Sequence, residues 1–289
     1  MATGSDNSPA GALRRDDGVC FADAFARALL RARLAAVDDP PAHGAALVKR
    51  SVSRTVWRVS LDGQDVYVKQ YHKRAFGHRL LHGLGVSQVR HEAKCLRSLS
   101  AAGFPVPRLL AWCHRGRRQW VCTLGVPDAE PLDVWYARQL AQGLACHARV
   151  RQATAVLARL VGALHRAGNV HRDLHMNNVL IREWADASTP AAGGHGAIEL
   201  FLLDLHRMKV RPVWRRRAMM NDLAYLFHDC LDSATRADRV RFLVHYLDAM
   251  GGEGTRRDWQ MPIERHARSH SRRQFAKRQR RMRGGVLTP

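Results

Sequence analysis

One short stretch of the chain, VHRDLHMNNVLI at residues 170–181, gathers several polar and ionisable side chains between two apolar runs. Asp173 and Asn178 lie five positions apart in it, and Asp204 lies at the end of the next strongly apolar segment, IELFLLDL at 198–205. Magnesium binds few protein oxygens and completes its shell with substrate phosphates, so Asn178 and Asp204 are candidate ligands. Asp173 could then orient and deprotonate an attacking hydroxyl.

A lysine and a glutamate earlier in the chain fit the same chemistry. Lys69 lies in the segment VYVKQY, and Glu92 lies in the next segment with helical spacing. A strand lysine that pairs with a glutamate on the following helix, together with an Asp/Asn/Asp set, is the phosphotransfer arrangement of protein kinases. Taken singly, however, Lys69 could be a solvent-facing strand lysine and Glu92 a solvated helix residue.

The surrounding segments predict the elements that must position these side chains. A hairpin is predicted over 54–71, because Asp62-Gly63 favours a tight turn between two extended runs. Apolar spacing predicts helices, and two further segments read as extended. The predicted helices cover 21–37, 86–103, 132–147, 150–167 and 221–232, and the extended segments cover 104–113 and 118–126. This order predicts a small sheet-rich lobe, then a larger and mainly helical lobe, with a cleft between them.

The motifs resemble those of a known superfamily over roughly residues 50–235. HRDLHMNN is similar to the protein-kinase catalytic loop H-R-D-L-x-x-x-N, and LLDLH is similar to the strand that ends in the metal-binding Asp. The resemblance implies an α+β, protein-kinase-like two-lobed fold, with ATP and magnesium as cofactors. It places Lys69 on the α/β-phosphates, fixed by Glu92. His175 stands where protein kinases carry Lys, as in kinases of aminoglycosides and choline, and it is assigned to the same nucleotide site.

A narrower resemblance lies in the segments around these motifs. YVKQYHKR, VRHEAKCLRSLSAAGFPVP, LHRAGNVHRD, LLDLHRMKVR and WRRRAMMNDLAYL resemble the lipopolysaccharide core kinases of Gram-negative bacteria. This resemblance implies that ATP phosphorylates a heptose or Kdo sugar of the inner core at the cytoplasmic face of the inner membrane. A lipid-linked core sugar chain is then the expected acceptor.

The expected division of the chain follows from these segments. We predict a flexible leader at 1–18, an N-lobe at 19–124, a hinge connector at 125–131, a C-lobe at 132–263 and a basic tail at 264–289. The loop expected to cover the nucleotide, KRSVSRTV at 49–56, has no glycine. Backbone N–H groups approach phosphates most easily where no side chain intervenes. Hydroxyls of Ser51, Ser53 and Thr55 could take their place.

The segment after Asp204 favours an anionic acceptor over a protein substrate. Residues 205–221 contain no Ser, Thr or Tyr, so phosphorylation there cannot switch the enzyme. The segment is also too short to form the peptide platform of a protein kinase. It does carry six basic residues, which suit the carboxylates and phosphates of a core sugar chain. They are Arg207, Lys209, Arg211, Arg215, Arg216 and Arg217.

The overall charge points to an anionic partner. Lys and Arg number 47 against 25 Asp and Glu, a formal net charge of +22. A field of this size attracts nucleic acid, anionic membrane or phosphorylated substrates. Nucleic acid is not expected, because the basic stretch 264–283 has Phe275 as its one aromatic residue. We expect a cytoplasmic protein held peripherally on the anionic inner-membrane surface, since each Lys or Arg there contributes on the order of 1 kcal/mol.

Several alternatives stay open at this stage. The chain could be a small-molecule or protein kinase of the same fold, or a catalytically inactive basic scaffold. Asp173 and Asn178 could be turn formers that bond their own backbone, and His171 is interpreted as structural. Asp222 is either a charge favoured by a helix dipole or a brace for the catalytic loop. The six cysteines have no metal-like spacing and are predicted to be buried thiols in a reducing compartment.

Overall fold

The computed structural model describes most of the chain, which divides into two compact units. The first contains the described residues up to Ala102 together with Pro107–Pro127, and the second contains Gly103–Val106 and the described residues from Asp128 onward. The described residues are 15–16, 18–72, 87–116, 118–143, 148–184, 198–213, 215–230, 234–252 and 257–269. Most of the predicted leader, and the predicted basic tail beyond residue 269, lie outside them.

The first unit is built on a seven-stranded antiparallel sheet with the strand order β1-β2-β6-β7-β5-β4-β3. Every neighbouring pair in this order is antiparallel. The strands are β1 (Arg15–Asp16), β2 (Val19–Phe21), β3 (Ala46–Arg50), β4 (Arg54–Leu61), β5 (Gln64–Tyr71), β6 (Leu109–Arg115) and β7 (Arg118–Leu124).

The hairpin of β4 and β5 confirms the turn predicted at Asp62-Gly63. Asp62 has φ 50° and Gly63 has φ 74°, so both central positions lie in the left-handed region that this turn requires. Val56 lies opposite Lys69, and Trp57 lies opposite Val68. Successive side chains of a strand project from opposite faces of the sheet, so Lys69 and Val68 lie on opposite faces.

Helices cover both faces of this sheet. On one face, α1 (Ala24–Leu30) and α2 (Leu34–Asp38) pack into a core that includes Trp57 and Val68. These two helices replace the single helix predicted over 21–37, and a 3₁₀ turn at Arg31–Arg33 separates them. The third helix, α3 (Gln88–Ala101), confirms the helix predicted over 86–103 and packs on β6 and β7.

The second unit is mainly helical, with two small sheets. Its helices are α4 (Leu132–Ala141), α5 (Ala148–Arg166), α6 (Arg215–Asp229), α7 (Arg236–Met250) and a further helix, α8, over 257–269. One sheet has the order β11-β10-β8, and the other pairs β12 with β9. The strands are β8 (Ala129–Pro131), β9 (Asn169–Val170), β10 (Val179–Glu183), β11 (Ile198–Leu202) and β12 (Lys209–Val210). Within the described ranges, no helix combines the length and the apolar character needed to cross a membrane.

A glycine allows α5 and α7 to approach closely. A Cβ atom at Gly162 would lie 2.7 Å from the Cβ of Ala249 and 2.7 Å from the carbonyl oxygen of Tyr246. Contacts below 3.0 Å would force backbone to move, so a larger residue cannot fit without shifting one helix. The absence of a side chain at residue 162 therefore keeps Tyr246 next to α5.

Most cysteines in the described part of the chain are buried, as predicted, and Cys230 is half-buried. None of the five forms a disulfide, and four are buried. Burial raises the pKa of the Cys95 thiol to about 11, and burial also raises the pKa of Cys122. These two thiols stay protonated near neutral pH, and protonated buried thiols pack as small apolar groups.

Candidate active site

Lys69 and Glu92 form an ion pair in the first unit. Lys69 Nζ lies 2.5 Å from Glu92 Oε1, and the two side chains are 18% and 4% exposed. The Tyr71 hydroxyl donates to the other carboxylate oxygen of Glu92. A buried carboxylate is stable only when donors surround it, so Glu92 is held by two residues of β5 that project from the same face.

The sequence alone left open that Glu92 is a solvated helix residue, but its side chain faces inward. It is 3% exposed and lies one turn from the buried Val89 and Leu96 on α3. Ser87 caps this helix by accepting from the backbone N–H of Arg90, which fixes where α3 begins. Tyr71 was missed at the sequence level, although its spacing of two from Lys69 on a strand would have placed both on one face.

In the second unit, Asp222 braces the loop that carries Asp173. Its Oδ2 accepts from the backbone N–H of His171 at 2.7 Å, and its Oδ1 accepts from the N–H of Arg172 at 2.6 Å. Asp222 is fully buried and lies in the middle of α6, because this helix begins at Arg215 rather than at the predicted residue 221. The brace is therefore confirmed, and the alternative of a charge at a helix terminus is wrong.

This brace holds a backbone conformation that side chains rarely adopt. Arg172 has φ 65°, in the left-handed region, and Asp204 has φ 61°. Such positions cost of order 1 kcal/mol or more and persist only where neighbouring contacts fix them. Because Asp173 follows Arg172 directly, the two bonds to Asp222 set the direction in which the loop presents Asp173.

His171 joins the loop to the strand that leads to Asp204. It is fully buried, and its Nε2–H donates to the carbonyl oxygen of Leu203 at 2.8 Å. Burial lowers the pKa of His171, against the opposing effect of the carboxylate of Asp222. A neutral ring with its proton on Nε2 fits the carbonyl acceptor, so His171 has the structural role that the sequence indicated.

The side-chain amide of Asn178 is oriented by two acceptors. Its Nδ2 donates to the carbonyl oxygen of Asp173 at 2.9 Å and to His175 Nε2 at 2.9 Å. The backbone carbonyl of Asn178 accepts from the N–H of Leu203 at 2.8 Å, which ties the loop to the residue before Asp204. With Nδ2 engaged twice, the amide oxygen Oδ1 is the atom that Asn178 offers to a cation. His175 thus acts on Asn178 rather than standing apart from it.

The second predicted ligand, Asp204, lies just past the end of β11 and is 9% exposed. His206 Nδ1–H donates to Asp204 Oδ1 at 2.5 Å. The structure therefore brings Asp173, Asn178 and Asp204 to one place through Leu203, which contacts the loop with both its N–H and its carbonyl.

The donor set fits magnesium better than a softer metal. Within the described ranges, no group of three or more His, Cys, Asp or Glu side chains is arranged to hold a metal ion. One carboxylate and one amide oxygen, from Asp204 and Asn178, match a cation that takes most of its ligands from phosphates and water. Zinc would require three or four nitrogen or sulfur ligands.

The six basic residues of the segment after Asp204 have different surroundings. Arg207 is half-exposed, and its Nη1 lies 3.6 Å from Asp173 Oδ1. Arg215 instead donates to the carbonyl of His165 at 2.8 Å and to that of Arg166 at 3.3 Å, where it caps the end of α5. The other four residues are exposed, namely Lys209, Arg211, Arg216 and Arg217. Arg216 also lies over the ring of Trp259, with its Cζ 5.6 Å from the ring centre.

The hydroxyls of the glycine-free loop are mostly engaged. Ser51 Oγ accepts from the N–H of Arg54 at 3.2 Å and lies 3.1 Å from its carbonyl oxygen, so it closes the turn between β3 and β4. Thr55 is 2% exposed, and its Oγ1 lies 2.7 Å from His72 Nε2. Ser53 Oγ lies 3.4 Å from Ser51 Oγ.

Comparisons with known proteins show what the chain resembles in sequence and in fold. The chain is 28% identical over 208 residues to the lipopolysaccharide core heptose(I) kinase WaaP of Pseudomonas aeruginosa, a match that covers 67% of this chain and 74% of that protein. A solved structure of WaaP in complex with acyl carrier protein superposes with a TM-score of 0.61 at 23% identity, over 87% of this chain and 98% of that chain.

The sheet unit and the mainly helical unit together give a protein-kinase-like fold. The sequence profile of the lipopolysaccharide kinase (Kdo/WaaP) family matches residues 31–246, well over half of the chain. That span includes the Lys69–Glu92 pair, the loop with Asp173 and Asn178, and Asp204. The chain therefore belongs to the lipopolysaccharide kinase (Kdo/WaaP) family and is an ATP-dependent phosphotransferase that acts on a sugar.

Proposed function

We propose that this chain transfers the γ-phosphoryl group of ATP to a hydroxyl of a heptose in the lipopolysaccharide inner core. The observation that carries the proposal is the braced loop, in which two backbone N–H groups bonded to Asp222 fix a strained conformation beside Asp173. Heptose is favoured over Kdo because the curated relative that matches 67% of the chain is a heptose(I) kinase. The reaction takes place at the cytoplasmic face of the inner membrane, where ATP is present.

Each residue of the site has a defined part in this reaction. Asp173 orients the acceptor hydroxyl and accepts its proton. Lys69, held by Glu92, contacts the α- and β-phosphates of the nucleotide. Asn178 and Asp204 would hold magnesium, which neutralises charge on the phosphates when it is bound. His175 contributes by fixing the amide of Asn178, since its Nε2 accepts from Nδ2 at 2.9 Å.

Positive charge in the segment after Asp204 supports an anionic acceptor. Arg207 lies within ion-pair distance of Asp173, and four further basic side chains of the same segment are exposed. We assign Arg207 to the acceptor rather than to the nucleotide, because its partner is the residue that takes the acceptor's proton. Lys209, Arg211, Arg216 and Arg217 add long-range attraction for the phosphates and carboxylates of the core. Arg215 contributes less, because its guanidinium caps α5.

Two partners follow from the charge and from the relatives. The net charge of +22 supports peripheral attachment to an anionic membrane surface, where the lipid-linked acceptor is found. The solved WaaP structure is a complex with acyl carrier protein. We extend that partner to this chain, and co-purification from a cell that supplies the carrier protein tests it.

Phosphorylation of defined acceptors tests the proposed function. The purified chain, with ATP and magnesium, is expected to add one phosphate to a core oligosaccharide that contains heptose and none to an acceptor truncated at Kdo. Mass spectrometry of each product gives the number of phosphates and the sugar that carries them. Phosphate found on Kdo alone would mean that the phosphorylated sugar is Kdo and not heptose. Phosphate found on neither sugar would contradict the proposal.

The role of Arg207 is tested by its replacement with glutamine. Loss of one charge-assisted contact, about 1.5–3 kcal/mol, is expected to raise the KM for the core acceptor by about 10-fold or more, while the KM for ATP changes little. Added salt should reduce the difference in acceptor KM between the variant and the wild type, because salt screens the exposed charge of Arg207. Steady-state kinetics with each substrate varied in turn give both constants.

Arg159→Gln is the matched control, since it removes one exposed charge from α5, outside the basic segment. It is expected to leave both KM values near those of the wild type. Equal increases in the two KM values for the Arg207 variant would contradict its assignment to the acceptor.

A further inference from the structure

A line of hydrogen bonds between buried side chains continues behind the brace. His165 Nε2 lies 3.2 Å from Asp222 Oδ2, and His165 Nδ1 lies 2.9 Å from the hydroxyl of Tyr246. The three residues come from α5, α6 and α7, and the side chains of all three are fully buried. Their separations along the chain, 57 residues for one bond and 81 for the other, make the line a product of helix packing.

The direction of each bond follows from its acceptor. A carboxylate can only accept, so His165 Nε2–H donates to Asp222. In a neutral ring Nδ1 then has no proton, and it accepts from the O–H of Tyr246. The tyrosine hydroxyl therefore selects the tautomer of His165 that can donate to Asp222, which is how a distant group orients a buried imidazole.

Asp222 connects this line to the catalytic loop. Its Oδ2 accepts from both His165 and the N–H of His171, and its Oδ1 accepts from the N–H of Arg172. With three donors around it, the carboxylate has one orientation that satisfies all of them. Removing the donor on the helix side would let the carboxylate turn, and the N–H groups beside the left-handed Arg172 would lose their alignment.

The ring of Tyr246 is itself fixed by aromatic contacts. It packs edge-on to His165, with ring centres 5.7 Å apart, and edge-on to Trp259 of α8, with ring centres 5.5 Å apart. It also stacks on Phe242 at 6.3 Å. Gly162 lets α5 approach the backbone of Tyr246 without a side chain between them. The hydroxyl is thus presented to His165 from a rigid position.

We infer that Tyr246 and His165 are positioning residues for phosphoryl transfer, which orient Asp222 and, through it, the loop that presents Asp173. The inference rests on the proposed role of Asp173 as the base. Neither residue touches substrate. They act by keeping the carboxylate of Asp222 aligned with the two backbone N–H groups, so that Asp173 reaches the acceptor hydroxyl in a productive geometry.

Tyr246→Phe tests this inference, because it removes the hydroxyl and keeps the ring. We expect kcat for sugar phosphorylation to fall by about 10-fold, as small misplacements of a catalytic group do, with the KM values for ATP and acceptor unchanged. We also expect the backbone amides of His171 and Arg172 to exchange hydrogen faster than in the wild type. Hydrogen exchange measured by mass spectrometry, on the peptide that contains these two residues, detects this change.

A matched control separates positioning from a loss of stability. Leu243→Val shortens a fully buried side chain on the same helix, and it lies outside the hydrogen-bonded line. It is expected to lower the melting temperature while kcat per folded molecule and the exchange of these two amides stay at wild-type values. If Tyr246→Phe changed kcat and exchange no more than Leu243→Val does, the inference would be overturned.

Conservative replacement of His165 supplies a second readout. Gln can place an N–H near the position of Nε2, so His165→Gln is expected to retain several-fold more activity than His165→Leu. Equal loss in the two variants would exclude a role for the donor. Hydrogen exchange can be measured without a sugar substrate. A wild-type enzyme that is inactive on core sugars would therefore contradict the proposed function, while the exchange of the His171 and Arg172 amides would still test whether Tyr246 and His165 position the loop.

Discussion

Replacement of Asp173 by Asn is expected to lower kcat for sugar phosphorylation by about 10²- to 10⁴-fold, the contribution typical of a positioned base. The amide keeps the volume of the side chain but cannot take the proton of the acceptor hydroxyl. The fold of the loop should survive, because the contacts that hold it involve the carbonyl of Asp173 and the backbone N–H groups of its two preceding residues. The KM for ATP should therefore change little. Initial-rate kinetics with a core oligosaccharide acceptor, together with thermal unfolding, measure both effects.

Asp62→Asn makes the same carboxylate-to-amide change in a hairpin turn of the first unit, at a residue with no part in the proposed site. Asp62 lies in the left-handed turn of the β4–β5 hairpin, a conformation that Asn also tolerates. It is expected to keep kcat near the wild-type value while losing an exposed ion pair with Arg33. An Asp173→Asn enzyme that retained more than about a tenth of wild-type kcat would remove Asp173 from the role of base.

The second large effect is expected at the Lys69–Glu92 pair. On the proposed role of Lys69, the change Lys69→Met removes a preorganised cation from the nucleotide phosphates, and such losses typically lower kcat by about 10²- to 10³-fold. It also leaves the carboxylate of Glu92, 4% exposed, with Tyr71 as its described donor. Breaking a buried ion pair costs about 3–5 kcal/mol, so the single variant should be clearly less stable. Kinetics with ATP varied and chemical denaturation measure the two losses.

The double variant Lys69→Met/Glu92→Gln distinguishes catalysis from stability. Removal of both charges leaves no unpaired ion in the core, so most of the lost stability should return. Activity should remain low, because the cation for the phosphates is still missing. Recovery of activity together with stability would mean that the pair is structural and that the nucleotide is held elsewhere.

The Glu92→Gln change alone should be milder than the loss of the lysine. The amide oxygen can still accept from Lys69 while the amide NH2 donates to the hydroxyl of Tyr71, but the fixed negative charge that holds the ammonium is gone. We therefore expect kcat to fall less in Glu92→Gln than in Lys69→Met, because Lys69 contacts phosphate in the proposed site and Glu92 only positions Lys69.

Local features of the fold were predictable because their causes lie within a few residues. Two positive φ angles at Asp62-Gly63 define a hairpin turn, and the apolar spacing from Val89 to Leu99 defines the buried face of α3. The polar loop, the strand before Asp204, and the pairing of Lys69 with Glu92 also followed from short motifs and their resemblance to known kinases. The break between α1 and α2 did not follow, because the periodicity of 21–37 is compatible with one continuous helix.

Basic residues adjacent in the sequence were given one role, and the tertiary structure separates them. Arg215 and Arg216 are neighbours, yet the first caps the end of α5 and the second lies over Trp259. Arg207 alone among the described contacts of this segment reaches Asp173. Charge type and order along the chain cannot distinguish these positions, because the partner of each guanidinium lies on a different element.

What the sequence determined by itself was the inventory of chemical groups and the short elements that carry them. The tertiary structure alone decided how these groups are held in place: Asp222 as the brace of a strained loop, His165 and Tyr246 behind it, and His175 on the amide of Asn178. Asp222 is 51 residues from His171, and Tyr246 is 81 residues from His165. Such bonds form only when separate helices pack at one distance and angle, and no periodicity or local spacing encodes that geometry.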